Sequence, residues 1–333
     1  MFKKLKEIKD VLLGGEIVVA DTSGYPSKED FYIDDSIQSQ SSGDVFDVLS
    51  LCQNKEIKCL DCGHVRLIDV MPRICPVGNT ADFAIVQAAR VSYGDGTKTV
   101  NEDRGLIRYL MRHSHTTPFE MVEFKFHCKM PIFVSRQWIR HRTSSVNEYS
   151  GRYSIMKDNF YYPEIQDIRK QSMHNKQGSE DFMSSTCAEE FLNNLNEICQ
   201  TAYNYYEKNI ENGMTREQAR MILPVNLYTE WYWKIDLHNL FHFLALRCDS
   251  HAQKEIRVFA DAILELITPI VPVAVEAWND YHPMRQALKL TSLEIDVIKS
   301  SLHGKKVENL KTLNSREKQE WIQKAERLGL EVK

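Results

Sequence analysis

No uninterrupted apolar run in this sequence approaches the roughly 20 residues that a membrane-spanning helix requires, so a helical membrane protein is not expected. A basic surplus is missing too: 42 Lys and Arg stand against 46 Asp and Glu, a formal charge of -4. A general nucleic-acid binder would carry the opposite balance, although a local basic pocket is compatible with this one. The opening segment, MFKKLKEIKDVLLGG, has charges but neither a long apolar stretch nor a small-residue cleavage site. It is not a secretory leader, and the cytoplasm is the expected compartment. Phe2, Leu5, Ile8 and Leu12 fall on one face of a surface helix. Paired metal-ligand sets are also lacking. Cys59 and Cys62 form a C-x-x-C with His64 and Cys75 nearby, but no second close pair follows and Cys52 is badly spaced. A zinc site therefore is not expected, and reduced, mostly buried thiols are. No G-x-G-x-x-G is present, since Gly94 and Gly96 lack both the third glycine and a preceding strand. H-E-x-x-H and P-loop signatures are absent as well.

What is there has the texture of one substantial core with appendages. Residues 1–65 read as an extension, with a polar, Ser-rich stretch over 34–44 as a loop or link. Residues 66–285 form the main domain, and 286–333 a helical tail. Within the main domain, VRLIDVMPRI is strand-like. TADFAIVQAARVSYG has helical spacing with Thr80 or Asp82 as N-cap, and another helix runs from Glu102 to His113. Val122, Phe124, Phe126, Cys128 and Met130 alternate as one side of a half-buried strand. Pro131 suits the first turn of the helix that follows. NEYSGRYSIM reads as extended, and Arg169–Ser185 as a polar excursion. A long helix is expected near Ala188–Asn212 and a short one over Thr215–Met221, ended by Pro224. Asp236 and Asp249 can each cap a later helix. In the tail, Asn314 with Glu317 resembles a capping box, Trp321, Ile322, Ala325 and Leu328 make a face, and Gly329 stops the helix. Helices outnumber strands without a βαβ rhythm or an internal repeat. The expected class is α+β: a central, mostly antiparallel sheet flanked by helices, with a helix-rich C-terminal half.

The densest chemistry lies in Gln137-Trp-Ile-Arg140-His141-Arg142-Thr-Ser-Ser145-Val-Asn147-Glu148-Tyr149-Ser150-Gly151-Arg152-Tyr153. Guanidinium forks bind phosphate oxygens bidentately, which points to a phosphorylated small molecule. Gln137 and Asn147 each offer a donor and an acceptor, the pattern a pyrimidine edge requires. A solvated helix terminus with surface ion pairs is the plain alternative, disfavoured by the mixture of Asn, Gln, His and Ser. Nothing near Ser150 resembles a nucleophile elbow, and an unactivated hydroxyl attacks poorly, so binding is the role expected of it.

The run R-H-R-x-x-S-x-N-E-x-S at Arg140–Ser150 resembles the signature of flavin-dependent thymidylate synthases at every fixed position. Three further segments are similar to the same family, in order: His115-Thr-Thr117-Pro-Phe-Glu120, Ala219-Arg220-Met-Ile-Leu-Pro224, and Leu246-Arg247-Cys-Asp249-Ser-His-Ala-Gln253. The resemblance runs from near Val65 to near Tyr281. It implies that Gln137, Arg140, Glu148, Tyr149, Ser150, Gly151, Arg152, Arg220 and Arg247 contact dUMP. Arg247 would be the catalytic group, favouring the ionised uracil. It also implies an FAD site of His115, Thr117, Glu120, Arg140, His141, Arg142, Asn147, Glu148, Asp236, His238 and His242, with folate stacking near His115. NADPH and 5,10-methylenetetrahydrofolate would be co-substrates, and the assembly a homotetramer with sites shared between chains. The sequence departs from the best-known pattern at Asp236, His238 and His242, where some members carry Asn, Arg and Asn. His238 and His242 lie one turn apart, a spacing open to a metal, but they read better as facing cofactor or core. No resident metal is expected, and neither a nucleic acid nor a membrane is an expected partner. Two other classes stay in view: a non-catalytic nucleotide- or RNA-binding module, and a flavin reductase without methyl transfer.

Overall fold

The computed structural model describes residues 45–91, 100–173, 178–285, 287–302 and 313–330. The expected N-terminal helix, the Ser-rich stretch, Gly94 and Gly96 lie outside them. The chain divides into two compact units, with described residues 45–285 in one and 287–330 in the other. Among the described residues, no helix is long and apolar enough to cross a membrane.

In the first unit, β1 (Val45–Asp47) pairs with β4 (Ile74–Pro76). Five strands build the main sheet: β2 (Glu56–Cys59), β3 (Gly63–Met71), β5 (Glu123–Pro131), β6 (Ser145–Glu148) and β9 (Tyr228–Asp236). Their spatial order is β2-β3-β5-β9-β6, and every pairing is antiparallel, as the expected fold class requires. The sheet thus begins before residue 65. Alternation sets the faces. Phe124, Phe126, Cys128 and Met130 of β5 are wholly buried, with Trp231, Trp233 and Ile235 of β9 in the same core. Lys125 and Tyr232 look out from the other face.

The helices of this unit are α1 (Asp82–Arg90), α2 (Val100–Arg112), α3 (Ile132–Trp138), α4 (Ser185–Glu211), α5 (Arg216–Ala219), α6 (Leu237–Arg247), α7 (Lys254–Ile267) and α8 (Pro272–Tyr281). The stretch expected to be a polar excursion contains a small hairpin, β7 (Arg169–Gln171) and β8 (Ser179–Phe182). Pro131 closes β5 and serves as the N-cap of α3 rather than its first residue. NEYSGRYSIM is extended only through Glu148 and then turns, with the Tyr153 and Ser154 amides donating to the Ser150 carbonyl.

Two expected caps are corrected. Asp82 does not cap its own helix, whose N-cap is Ala81 with no side-chain bond. Instead its buried carboxylate accepts from the Val273 and Ala274 amides at 2.9 and 3.0 Å, satisfying orphan donors at the start of α8. Burial pushes its pKa up to about 6 against the pull of those N–H groups and of Thr80. Asp249 accepts from the His251 amide in a tight turn, and α7 starts only at Lys254. Asp236 caps α6 as expected, through the Asn239 amide at 2.9 Å.

The second unit holds α9 (Ser292–Leu302) and α10 (Ser315–Arg327). The Asn314–Glu317 capping box is present. Trp321 and Ala325 are buried with Val297, while Ile322 points outward at 40% exposure and does not belong to the face. Gly329 stops the helix with φ of 69°.

Candidate active site

The Arg140-His141-Arg142 turn is positioned by the residue two places before it. On α3, Val134, Ser135 and Trp138 face inward at helical spacing. The Trp138 indole is fully buried, stacked on Phe243 and edge-on to Trp231 and Trp233, with ring centroids 5.0–5.5 Å away. With that ring anchored, the His141 amide donates to the Trp138 carbonyl at 3.0 Å and the turn is set.

His141 then meets the end of α6. Its ring lies edge-on to Phe243 at 4.9 Å and 5.8 Å from His242. Its Nε2 accepts from Arg247 Nε at 3.2 Å. Burial, with the Arg247 and His242 charges, lowers the His141 pKa to about 4, so the imidazole is neutral and can accept this bond. The carbonyl end of α6 favours a cation at Arg247. On the other side, His242 acts electrostatically on His282, whose pKa is lowered first by burial. His282 ends α8 beside Trp278 and was not singled out from the sequence, because only the fold brings residue 282 back to residue 242.

A second group surrounds the turn after β6. Glu148 accepts from the Thr229 hydroxyl at 2.7 Å, and the Tyr149 amide donates to the Glu230 carbonyl at 2.8 Å, fixing the strand's exit. The Ser150 hydroxyl accepts from the Arg152 amide, a turn-stabilising contact. A Cβ at Gly151 would lie 2.7 Å from Met156 sulfur and 3.2 Å from Arg220 Cδ, so a side chain there would have to displace both. Gly151 and Arg220, far apart in sequence, are thus neighbours. Arg152 is engaged with Glu217, its Nε 2.9 Å from the carboxylate.

The remaining candidates divide. Gln137 donates to Gln253, the residue that opens α7, linking two of the quoted motifs. His115 sits exposed in an aromatic group with Tyr109 and His113 at the end of α2. Thr117 and Glu120 belong to a 3-10 turn, Thr117–Met121, that packs on α1 and α6. Asn147 is exposed on β6, and His238 is half-buried on the first turn of α6. Asp236 has both oxygens occupied by Asn239. Cys59 is a buried thiol pushed up to about 12 by desolvation, and Cys62 is exposed on the far side of the β2–β3 turn. Among the described residues, no group of three or more His, Cys, Asp or Glu side chains is arranged to hold a metal.

The charges stand out by what they do not touch. Among the described residues of this unit, Arg136, Arg140, Arg142 and Arg220 are the arginines whose side chains make no hydrogen bond, ion pair or ring contact. The others are engaged, as with Arg73 on Asp47, Arg108 on Asp280 and Arg152 on Glu217. Three of the four lie at positions expected to take phosphate; Arg136 was not among them, although its place on α3 one turn before Arg140 was readable.

The family model described as thymidylate synthase complementing protein matches residues 67–273. A flavin-dependent thymidylate synthase of Dictyostelium discoideum is 57% identical over 279 residues, 84% of this chain and 89% of that protein. A protein of the same name from Thermus thermophilus is 58% identical over 225 residues, 68% of this chain and 78% of the relative. Among solved structures, the UMP/dUMP methylase PolB of Streptomyces cacaoi, bound with 5-Br dUMP, superposes with a TM-score of 0.60 at 30% identity. That likeness covers 69% of this chain and all of PolB. With its antiparallel sheet, its unpaired arginines and these relatives, the chain belongs to the flavin-dependent thymidylate synthase family.

Proposed function

We propose that the protein methylates dUMP reductively to dTMP, taking the carbon from 5,10-methylenetetrahydrofolate and releasing tetrahydrofolate. The observation that carries this reading is the unpartnered Arg140 and Arg142 on either side of a neutral histidine that holds Arg247, with Arg220 unpartnered against Gly151. Free guanidinium forks suit phosphate-bearing ligands, and a chain that needed them for its own folding would have paired them. The donor set therefore fits FAD as well as dUMP. When bound and reduced by NADPH, FAD supplies the hydride.

The chain's own contribution is binding and electrostatics. Arg220, whose stem passes close to Gly151, and Arg152 take the dUMP phosphate. Gln137, Arg140, Glu148, Tyr149 and Ser150 complete that site. Arg142, Asn147, His238 and His242 line the flavin with His115, Thr117, Glu120 and His141, while Asp236 fixes the helix that carries the two histidines. Arg247 stabilises negative charge on the uracil, its guanidinium steered by the lone pair of His141. The assembly is a homotetramer, with residues 286–333 as a helical tail to the catalytic domain.

The deciding experiment is anaerobic incubation of the purified protein with dUMP, methylenetetrahydrofolate and NADPH, scoring dTMP. Stoichiometric flavin absorbance and dTMP formation are expected. A colourless protein whose main activity is salt-dependent polynucleotide binding would make it a binding module. A yellow protein that consumes NADPH without forming dTMP would make it a reductase.

Arg220→Lys keeps the charge and loses the fork. It is expected to raise the dUMP dissociation constant roughly tenfold, the scale of a charge-assisted hydrogen bond, with bound flavin unchanged. Calorimetric titration showing an unaltered constant would remove Arg220 from the site.

A further inference from the structure

Between Tyr149 and Asn159 the chain forms neither helix nor strand. Its two ends are tied to β9: the Tyr149 amide donates to the Glu230 carbonyl and the Tyr228 amide to the Asn159 carbonyl, each at 2.8 Å. The segment between them carries Ser150, Gly151 and Arg152, and no strand ladder holds it there. Arg216 of α5 donates to the Tyr153 carbonyl at 2.6 Å. The firmer hold is at Met156, where α4 takes both backbone groups of one residue. The Met156 amide donates to the Tyr206 hydroxyl at 2.9 Å, and the Tyr203 hydroxyl donates to the Met156 carbonyl at 3.0 Å.

The two tyrosines stand three residues apart on one face of α4, with ring centroids 5.7 Å apart. Tyr206 is fully buried and Tyr203 half-buried, in the small core that also holds Met156, Cys199 and Ala219. Phenylalanine would fill the same space at either position, so the hydroxyls are there for their partners. From Met156 the restraint passes to the turn. The Met156 sulfur lies against Gly151, 2.7 Å from where a Cβ would stand, and Arg220 Cδ lies 3.2 Å from the same point. Ala219, the residue before Arg220, is wholly buried in that small core. One core therefore seats both the Gly151–Arg152 turn and the base of Arg220.

We infer that Tyr203 and Tyr206 are positioning residues for the dUMP phosphate site: their hydroxyls clamp the Met156 backbone and so fix the spacing of Arg152 from Arg220. This inference rests on the reading that those two arginines take the phosphate. Two guanidinium groups on one phosphate need a set distance between them, and a loop that drifts by about 1 Å forfeits much of their joint binding. Both tyrosines act through Met156 and not on the ligand.

The test uses the whole chain and calorimetric titration with dUMP. Tyr206→Phe and Tyr203→Phe are each expected to raise the dUMP dissociation constant roughly three- to tenfold, the scale of one hydrogen bond, while flavin absorbance and turnover at saturating dUMP are kept. The double variant should lose less than the product of the two, because both hydroxyls act on one residue. In an Arg152→Ala background, Tyr206→Phe should change the constant little, since the group it positions is gone. Cys199→Ala is the control: it opens the same core and leaves both Met156 bonds, so it should lower the thermal midpoint with the dUMP constant at the parent value. Tyr203→Phe, at the less buried ring, carries the test where Tyr206→Phe does not fold. A parent that binds dUMP while the variants keep its constant overturns the inference and leaves the proposed function standing. So does a loss of affinity that Cys199→Ala shares in proportion to lost stability, or one that persists in full without Arg152. A parent that binds no dUMP overturns the proposed function, and the inference with it.

Discussion

Arg247→Ala is expected to lower dTMP formation by about 10²–10³-fold while anaerobic flavin bleaching by NADPH stays within severalfold of the parent, the loss typical of removing one preorganised charge-stabilising donor. The reason is where the guanidinium sits. It leaves the last turn of α6, half-buried, with Nε committed to His141. A neutral imidazole can hold it without cancelling its charge, leaving the terminal nitrogens for a ligand. In the proposed reaction, charge that develops on the uracil during methylation would draw on this group, whereas flavin reduction would not. Some dUMP affinity will be lost with it, so turnover must be compared at saturating dUMP. Ser150→Ala is the control. Its hydroxyl accepts one amide bond within a turn, so measurable turnover should survive. Reversed behaviour, a dead Ser150→Ala that still binds dUMP beside a largely active Arg247→Ala, would exchange the two roles.

Asp82→Ala is expected to cost about 2–5 kcal/mol at pH 7, because a half-buried and a buried amide at the start of α8 lose their acceptor together. The thermal midpoint should fall by roughly 5–10 °C or more. Asp82→Asn should cost less, since an amide oxygen still accepts from Ala274 while its NH₂ can donate to Thr80. The pH dependence separates the two effects. The carboxyl titrates near 6 in the fold against an ordinary 3.8, so between those values the folded state holds the extra proton. The part of its stabilisation linked to that proton is complete below about 4, declines as pH rises, and is lost above about 6, with a span of at most roughly 3 kcal/mol, while the two amide bonds remain. Asp82→Asn should flatten that part of the stability profile. If the parent and Asp82→Asn profiles run parallel from pH 4 to 7, Asp82 is not the group responsible.

The parts of the fold that were legible are those written locally. Period-two alternation in β5, the Asp236 cap and the Asn314–Glu317 box each involve residues a few positions apart, and each was found where expected. The Asp82 cap was not legible, because the helix it serves begins at residue 272 and a sequence window cannot see that pairing. Asp249 looked like a helix cap because its residue type suits a cap and a turn equally. The β7–β8 hairpin escaped because its strands are short and mostly exposed, leaving no apolar alternation to read. At the candidate site, the motifs supplied the candidates, and the fold added relations among them: Gly151 against Arg220, Gln137 on Gln253, and His282 beside the His141–His242 pair.

The Trp138 cluster has an optical consequence. Trp138 lies nearly perpendicular to both Trp231 and Trp233, at 88° and 86°. Transition dipoles this close and this skewed couple, and coupled indoles give a strong circular-dichroism band whose sign and size follow their mutual angle. Trp138 is also the residue from which the Arg140–Arg142 turn is hung. A ligand that tightens or shifts that turn will therefore tilt one chromophore against two fixed ones, so the near-ultraviolet spectrum reports on the geometry of the arginines without any added label.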